Sequence, residues 1–502
     1  MKRLILSLSL LTVLGLALEA RDYDVTAYGA VPDGATLSTA FIQSAIDECA
    51  LNGGGRVVVP RGTFLCGTLN LRSGVEFHLS AGSTLRATTD LSCYKRYNEQ
   101  LAGLFYTEGE SKVAITGPGT IDGRGMEFMY ADTPKVIWIQ ERLRTRQGEN
   151  FRKVESGIGD GPLEPRDRFH QMIVFSCCTD ITLEDFTCID SPFWCFLLVH
   201  CSGVKMRGVT IDNDLLIPNS DGVDIISSSE VNISDCFFRC GDDCIVLAGY
   251  GWHQGDPGFK RLSTPSRNIN VSNCILQSRS SGIRIGGHDQ NPMSDFQFSN
   301  ITIYDSNRGI NISVSDEESL SNVTFNNIHI ETRLHTGDWW GQGEPIHITA
   351  MQLVPEKTKL GKIRNLFFNN ITCVGENSII MIADPQTRIE NVFFNNFEFT
   401  LRRSAIEETA GGNYDLRLTV HEDRQLYPAD EPVVYIENAS NIIFSNGSIR
   451  WDGADMPYHT YCIDALNVDG LKVRDVSTEP SPAHPRYKPV HTSGCRSVSV
   501  GK

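Results

Sequence analysis

Several things are missing from this chain, and each absence excludes a class of protein. After the first twenty residues no apolar run is long enough to cross a membrane. There is no basic excess: the formal charge of −16 sets the chain against nucleic acid, although a local basic patch could still hold an anionic sugar. No Cys-x-x-Cys pair occurs among the 15 cysteines, and Cys236, Cys240 and Cys244, spaced by four, do not converge in strand-turn-strand sequence. Buried small residues or a local disulfide therefore suit them better than a metal site. An odd count leaves at least one thiol unpaired even if the others join. Long helical periodicity is also absent.

What is present begins with Met1 to Ala20, where Lys2 and Arg3 precede an apolar run from Leu4 to Leu18. This reads as a secretory signal peptide and sets the expectation of a secreted or periplasmic protein, with the mature chain starting near Arg21. From about residue 170 a short unit recurs: a polar residue, often Asn, then apolar-x-apolar. Ile181 with Leu183, Val204 with Met206, Val231 with Ile233, Ile269 with Val271, Phe296 with Phe298 and Val323 with Phe325 follow at steps of 23, 27, 38, 27 and 27 residues. Leu366 with Phe368, Val392 with Phe394, Ile442 with Phe444 and Leu471 with Val473 continue the series after longer loops. Two-residue alternation repeated at steps in the twenties predicts an all-β, single-domain, right-handed parallel β-helix over 21–476, a solenoid whose coils bury their apolar faces by stacking. A sandwich or propeller of short strands fits less well, because the steps vary while the rung pattern persists. Ala40 to Leu51, with Phe41, Ala45, Ile46 and Cys49 on one face, predicts a helix capping the first coil. Residues 477–502, with four prolines before Val490, are expected as an extended surface tail.

The chemistry lies in two motifs, Asn219-Ser220-Asp221-Gly222-Val223-Asp224-Ile225 and Gly241-Asp242-Asp243-Cys244-Ile245. Pairing Val223 and Ile225 with Ile245 and Leu247, an offset of 22 residues, lays Asp221 directly beneath Asp243, with Asp242 beside them. Neighbouring parallel strands lie ~4.8 Å apart, so the carboxylates crowd and at least one pKa must rise, leaving a proton donor beside ionised partners. Carrying the register upward predicts one outward column of Asp221, Asp243, Ser281 and Arg308, and a second of Asp224, Val246, Arg284, Asn311 and His347. Trp252, His253, Trp339 and Trp340, in the long insertions, would wall a groove. Taken singly, each feature has an ordinary explanation. Asp in an Asn-x-Asp-Gly sequence forms turns, Arg284 and Arg308 can be solvated or pair with the acids, His347 can be satisfied by its neighbours, and tryptophans pack beneath loops. Two acidic motifs in register shift the balance toward catalysis.

These motifs, with the preceding Asp190-Ser191-Pro192-Phe193-Trp194 and the opening Tyr23 to Ala30, resemble glycoside hydrolase family 28, the polygalacturonases and their pectin-degrading relatives. The resemblance implies the pectin-lyase-like fold and an inverting glycosidase acting on a pectin-like or other acidic polysaccharide, without metal or cofactor. Asp242 would be the general acid, and Asp221 and Asp243 the pair that activates water. Inversion implies an acid and base ~6.5 to 9.5 Å apart. Asn219, Arg284, Arg308, Asn311 and His347 would contact substrate. Two motifs depart from the family: Ser280-Ser281-Gly282 stands where polygalacturonases carry Gly-His-Gly, and Asn311-Ile312-Ser313 where they carry Arg-Ile-Lys. Arg284 and Arg308 are the candidate replacements for the missing cations. Long loops hint at attack from a chain end. A uronate lyase or epimerase would need an adjacent base such as Lys, and a carbohydrate-binding adhesin would leave the crowding of the acids unexplained. Oligomeric state is open at this point.

Overall fold

The computed structural model describes residues 22–136, 144–153, 158–252, 255–353, 359–417 and 419–501. The leader-like segment 1–20 and His253 lie outside them. Two long parallel sheets, of 23 and 12 strands, wind along one axis as a parallel β-helix. Every expected rung pairing is present: Ile181 lies beside Val204, then Val231, Ile269, Phe296, Val323, Leu366, Val392, Ile442 and Leu471. Their side chains point inward and are buried, and the rungs from Phe298 stack their rings along the axis. Phe325 lies 5.0 Å from Phe298, Phe368 4.8 Å from Phe325, Phe394 4.6 Å from Phe368 and Phe444 5.0 Å from Phe394. Among the described residues no helix is long and apolar enough to cross a membrane.

The recurring Asn ahead of each rung has a conformational cause. Asn322, Asn365, Asn391 and Asn441 all have positive φ, between 54° and 60°. They turn the chain into its next strand, a left-handed geometry that Asn tolerates better than other side-chain-bearing residues. Each carboxamide donates to the one below, Asn365 to Asn322 at 3.0 Å, Asn391 to Asn365 at 2.9 Å and Asn441 to Asn391 at 2.8 Å. A second ladder climbs Asp235, Asn273, Asn300, Asn327, Asn370 and Asn396 at another corner. These ladders bind coil to coil where the backbone ladder bends.

Thr39–Leu51 forms the capping helix and packs on the strands Asp22–Asp24, Gly55–Val59 and Val75–Leu79. Its buried face is Ile42, Ala45, Ile46 and Cys49. Phe41, expected on that face, is 40% exposed, because the helix is rotated so that Ile42 takes the inward place. The C-terminal segment also differs from expectation. Instead of an extended tail it winds a last partial coil, with Val490–Ser493 parallel to Ile463–Leu466 and Ser499–Val500 parallel to Asp469–Thr478. All fifteen cysteines are free thiols, twelve of them buried, so packing rather than cross-linking explains them.

Asn327→Ala should lower the unfolding free energy by about 1–2 kcal/mol, through a strained φ and two lost ladder bonds. Denaturant titration should show Asn327→Gly losing less, because glycine keeps that φ without strain.

Candidate active site

The 12-stranded sheet carries the site. Its register is the one read from the sequence: Val223 pairs with Ile245, Ile245 with Ile283, Ile283 with Ile310 and Ile310 with Ile346. The pairing begins before the strands proper. The Gly222 N–H donates to the Asp243 carbonyl at 2.9 Å and the Cys244 N–H to the Ser281 carbonyl at 2.9 Å, so the turns bearing the acids are themselves laddered. Both motif glycines are required by close approach. A Cβ on Gly222 would lie 2.3 Å from the Cys244 oxygen, and one on Gly241 2.1 Å from the Ile217 oxygen. Asn219 enters the turn at φ +58°.

Asp221, Asp242 and Asp243 converge, with one oxygen from each lying within 4.8 Å of the others. That is closer than the wide separation expected for an acid and base of opposite faces, because Asp242 and Asp243 are consecutive and Asp221 is a single rung away. All three are nearly buried, at 3%, 6% and 3% exposure, yet they border a cavity of about 680 Å³, in the size range of ligand sites. Asp243 is the best solvated by the protein: its Oδ1 accepts the Ser281 N–H at 2.8 Å and its Oδ2 lies 3.4 Å from Arg284 Nη1. Asp242 accepts the Asp243 N–H at 3.1 Å and the Asn219 carboxamide at 3.4 Å. Asp221 Oδ1 has no hydrogen-bond partner among the described residues.

Burial dominates the titration of this group. It pushes Asp242 up to about 7, reinforced by the neighbouring Asp243 charge and opposed by Arg284, Ser280 and Lys135. Burial, then Asp242, Asp224 and Asp243, raises Asp221 well above the usual carboxylate range. Burial and the Asp243 charge do the same to Asp224, a fourth carboxyl one rung below Val246. Burial and mutual repulsion thus favour the protonated forms of Asp221, Asp224 and Asp242. A triad of carboxylate oxygens at this spacing could also receive a cation, although Arg284 already supplies positive charge at Asp243. A separate cluster, Glu407, Glu431 and His459, is as tight. There His459 Nδ1 accepts the Met456 N–H at 3.1 Å, which leaves the proton on Nε2 facing the carboxylates and makes the ring a donor rather than a ligand.

The structure separates the expected substrate contacts into two groups. Asn219 and Arg284 border the cavity beside the acids, and Arg284 also donates to the Tyr250 hydroxyl at 3.1 Å. Arg308 is in its expected column but is 2% exposed and committed elsewhere. It binds the Glu344 carboxylate through Nε at 3.1 Å and Nη2 at 3.3 Å, and donates to the Asp415 carbonyl at 2.6 Å. It borders the same cavity as the acids but is committed to Glu344, since leaving that partner would strand a buried charge. Although burial opposes it, Arg417 and Arg308 hold Asp415 below the usual carboxylate range. His347 borders the cavity, with Nδ1 3.0 Å from Asn311 Oδ1 and Nε2 3.0 Å from the Asp415 carbonyl, and a neutral ring donates to only one of these two oxygens. Burial and Arg308 push its pKa well below the ordinary value, so it is a neutral positioning group. Asn311, 9% exposed, is engaged with it. Trp252 and Trp340 wall the cavity, but Trp339 is fully buried beneath its loop.

Sequence reasoning missed Lys135 and Arg168. Both come from insertions far from the motifs, and both approach Asn219 Oδ1, at 3.4 Å and 3.5 Å. No periodicity points from those insertions to the acids, so only the folded chain shows the approach.

If burial raises Asp242 as described, folding favours its protonated form. That stability is fully present below the unfolded carboxyl pKa of about 3.9 and is lost as pH rises through about 7. Asp242→Asn should therefore raise Tm at pH 8, and the gain should vanish at pH 4. Thermal scans at the two pH values check this.

Comparisons with known proteins give the family and the fold. Residues 49–337 match the model of the glycosyl hydrolases family 28. A probable polygalacturonase of Vitis vinifera is 28% identical over 244 residues, covering 45% of this chain and 44% of that protein. An exopolygalacturonase of Zea mays is 25% identical over 285 residues, covering 53% of this chain and 62% of that protein. The match thus spans about half the length of these relatives. Among solved structures, the fold is shared with an exopolygalacturonase of Thermotoga maritima, with a TM-score of 0.57 and 21% identity over 77% of this chain and 88% of that one. It is shared also with a family 28 exopolygalacturonase of Yersinia enterocolitica, with a TM-score of 0.62 and 18% identity over 96% and 78%. With more than half of its length matched by the family model, the chain belongs to glycosyl hydrolase family 28.

Proposed function

We propose that this protein is an exported glycosidase that hydrolyses α-glycosidic bonds in a pectin-like or other acidic polysaccharide, attacking from a chain end. The observation that carries the reading is the convergence of three buried carboxyls on one cavity, where burial pushes Asp242 up to about 7. Asp242 is the proton donor to the departing oxygen. Asp243, supported by the Ser281 N–H and Arg284, best accommodates negative charge and takes the proton from the attacking water. Asp221, which burial favours in its neutral form, holds that water as a hydrogen-bond partner. Family membership supports inversion of the anomeric centre. The close spacing of the acids, nearer the ~5–5.5 Å associated with retention, makes the product anomer the discriminating observable. Attack from a chain end is supported by the insertions around 333–345 and 403–431, whose residues Trp340, Leu416 and Arg417 wall the cavity.

Asp242→Asn should lower kcat roughly 10²- to 10⁴-fold while oligosaccharide binding and folding persist. Reducing-end release by the wild type without an unsaturated product fits hydrolysis. An unsaturated uronate product would overturn it in favour of elimination.

Arg284→Ala should raise KM for charged oligosaccharides roughly 10- to 100-fold, the loss of one charge-assisted contact of about 1.5–3 kcal/mol. An equal loss on methyl-esterified substrate would restrict Arg284 to supporting Asp243.

A further inference from the structure

Lys135 follows the inserted strand Met129–Pro134, which pairs antiparallel with Leu163–Pro165. Its own N–H donates to the Pro162 carbonyl at 2.7 Å, which fixes its backbone. Arg168 stands just beyond the second strand of that insertion. Its Nη1 donates to the Pro192 carbonyl and, at 3.0 Å, to the Pro218 carbonyl, and its guanidinium covers the Phe193 ring at 4.8 Å. Two cations therefore converge on the Asn219 carboxamide oxygen, Lys135 at 3.4 Å and Arg168 at 3.5 Å. With cationic donors on that oxygen, the amide has one acceptable orientation, and its Nδ2 must face Asp242 Oδ2, 3.4 Å away. Among the described residues Lys135 forms no ion pair with a carboxylate; burial, then Arg168, lower its pKa, and the charges of Asp242, Glu164 and Asp338 oppose that shift.

Asp242 is faced by Asp221 from the coil below, by Asp243 beside it, by Arg284 and Ser280 from the coil above, and by Asn219 with Lys135 behind it. Arg284 is in direct contact with Asp243, so on the Asn219 side the only cations in this set are Lys135 and Arg168. We propose that Lys135 and Arg168 act as positioning residues, clamping Asn219 so that it orients the Asp242 carboxyl for proton donation and steadies the carboxylate left behind. The inference rests on Asp242 being the acid of the proposed hydrolysis. In that step the proton passes from Asp242 to the glycosidic oxygen, and the bond from that oxygen to the anomeric carbon breaks with its electron pair going to oxygen. Water oxygen bonds to the anomeric carbon, and its proton passes to Asp243. Asp242 finishes as an anion at the moment when the nearby positive charge matters most.

The test is an infrared titration of the full chain, subtracting Asp242→Asn from the wild type to isolate the carboxyl C=O band of Asp242, repeated in the Lys135→Met background. Losing the cation destabilises the carboxylate, so the band should persist to higher pH, its midpoint rising by about one unit. Lys135→Arg should return the midpoint toward the wild type. Turnover of Lys135→Met should fall roughly tenfold in kcat with KM little changed, and the alkaline limb should move in the same direction as the band. An unmoved midpoint, or a shift that Lys135→Arg does not reverse, overturns the clamp. If Lys135→Met does not fold, Lys135→Gln carries the same expectation and the same overturning result. Retained turnover in Asp242→Asn would instead remove Asp242 from the acid role, an outcome distinct from an unmoved band.

Discussion

The coil-to-coil hydrogen bonds that run through the turns ahead of Val223 and Ile245 are the constraint on which the rest depends. Because side chains alternate along a strand, a slip of one residue would turn Asp221 and Asp243 away from each other and carry Val223 and Ile245 out of the core. The bond from the Gly222 N–H to the Asp243 carbonyl prevents that slip at the place where the acids stand. Close backbone approach at Gly222 and Gly241 is its steric counterpart. The glycines in the two motifs thus bring the rungs together, and the carboxyls crowd as a consequence.

Crowding is costly, and the surrounding structure offsets it unevenly. Asp243 has a backbone donor and a guanidinium, Asp242 has a neutral amide backed by cations, and Asp221 has an oxygen with no partner among the described residues. This gradation of support makes the three adjacent carboxyls chemically unlike, as a reaction needing both an acid and a base requires. The buried ion pairs of Arg308 with Glu344 and of Arg417 with Asp415 belong to the insertions that close over the cavity. Their charges cancel one another locally, so they shape the wall without supplying a free cation to a ligand.

The parts legible in the sequence were those governed by local repetition. The apolar-x-apolar rungs, the recurring Asn ahead of them and the offset of 22 residues between the acidic motifs are short-range patterns, and the columns of Asp221 with Arg308 and of Asp224 with His347 followed from them. What those columns do was not legible. Arg308 and His347 occupy their predicted places, but their partners Glu344 and Asp415 lie in loops with no period, so their commitment to internal contacts could not be read. Lys135 and Arg168 were missed for the same reason. The C-terminal segment was misread because its prolines suggested a tail, whereas Val490–Ser493 and Ser499–Val500 are short enough to escape a pattern search and still complete a coil. The rotation of the capping helix, which exposes Phe41, turns on a choice between neighbouring apolar residues that sequence spacing does not resolve.

The central claim is that the stacked rungs bring a protonated carboxyl and an ionised one to opposite roles in a single displacement by water. Proton NMR of the first sugar released from a panel of pectic and other acidic polysaccharides tests it most directly. The account predicts initial appearance of the β anomer from an α-linked substrate, followed by mutarotation. Initial release of the α anomer would contradict it, assigning one of the close carboxylates to a covalent intermediate instead.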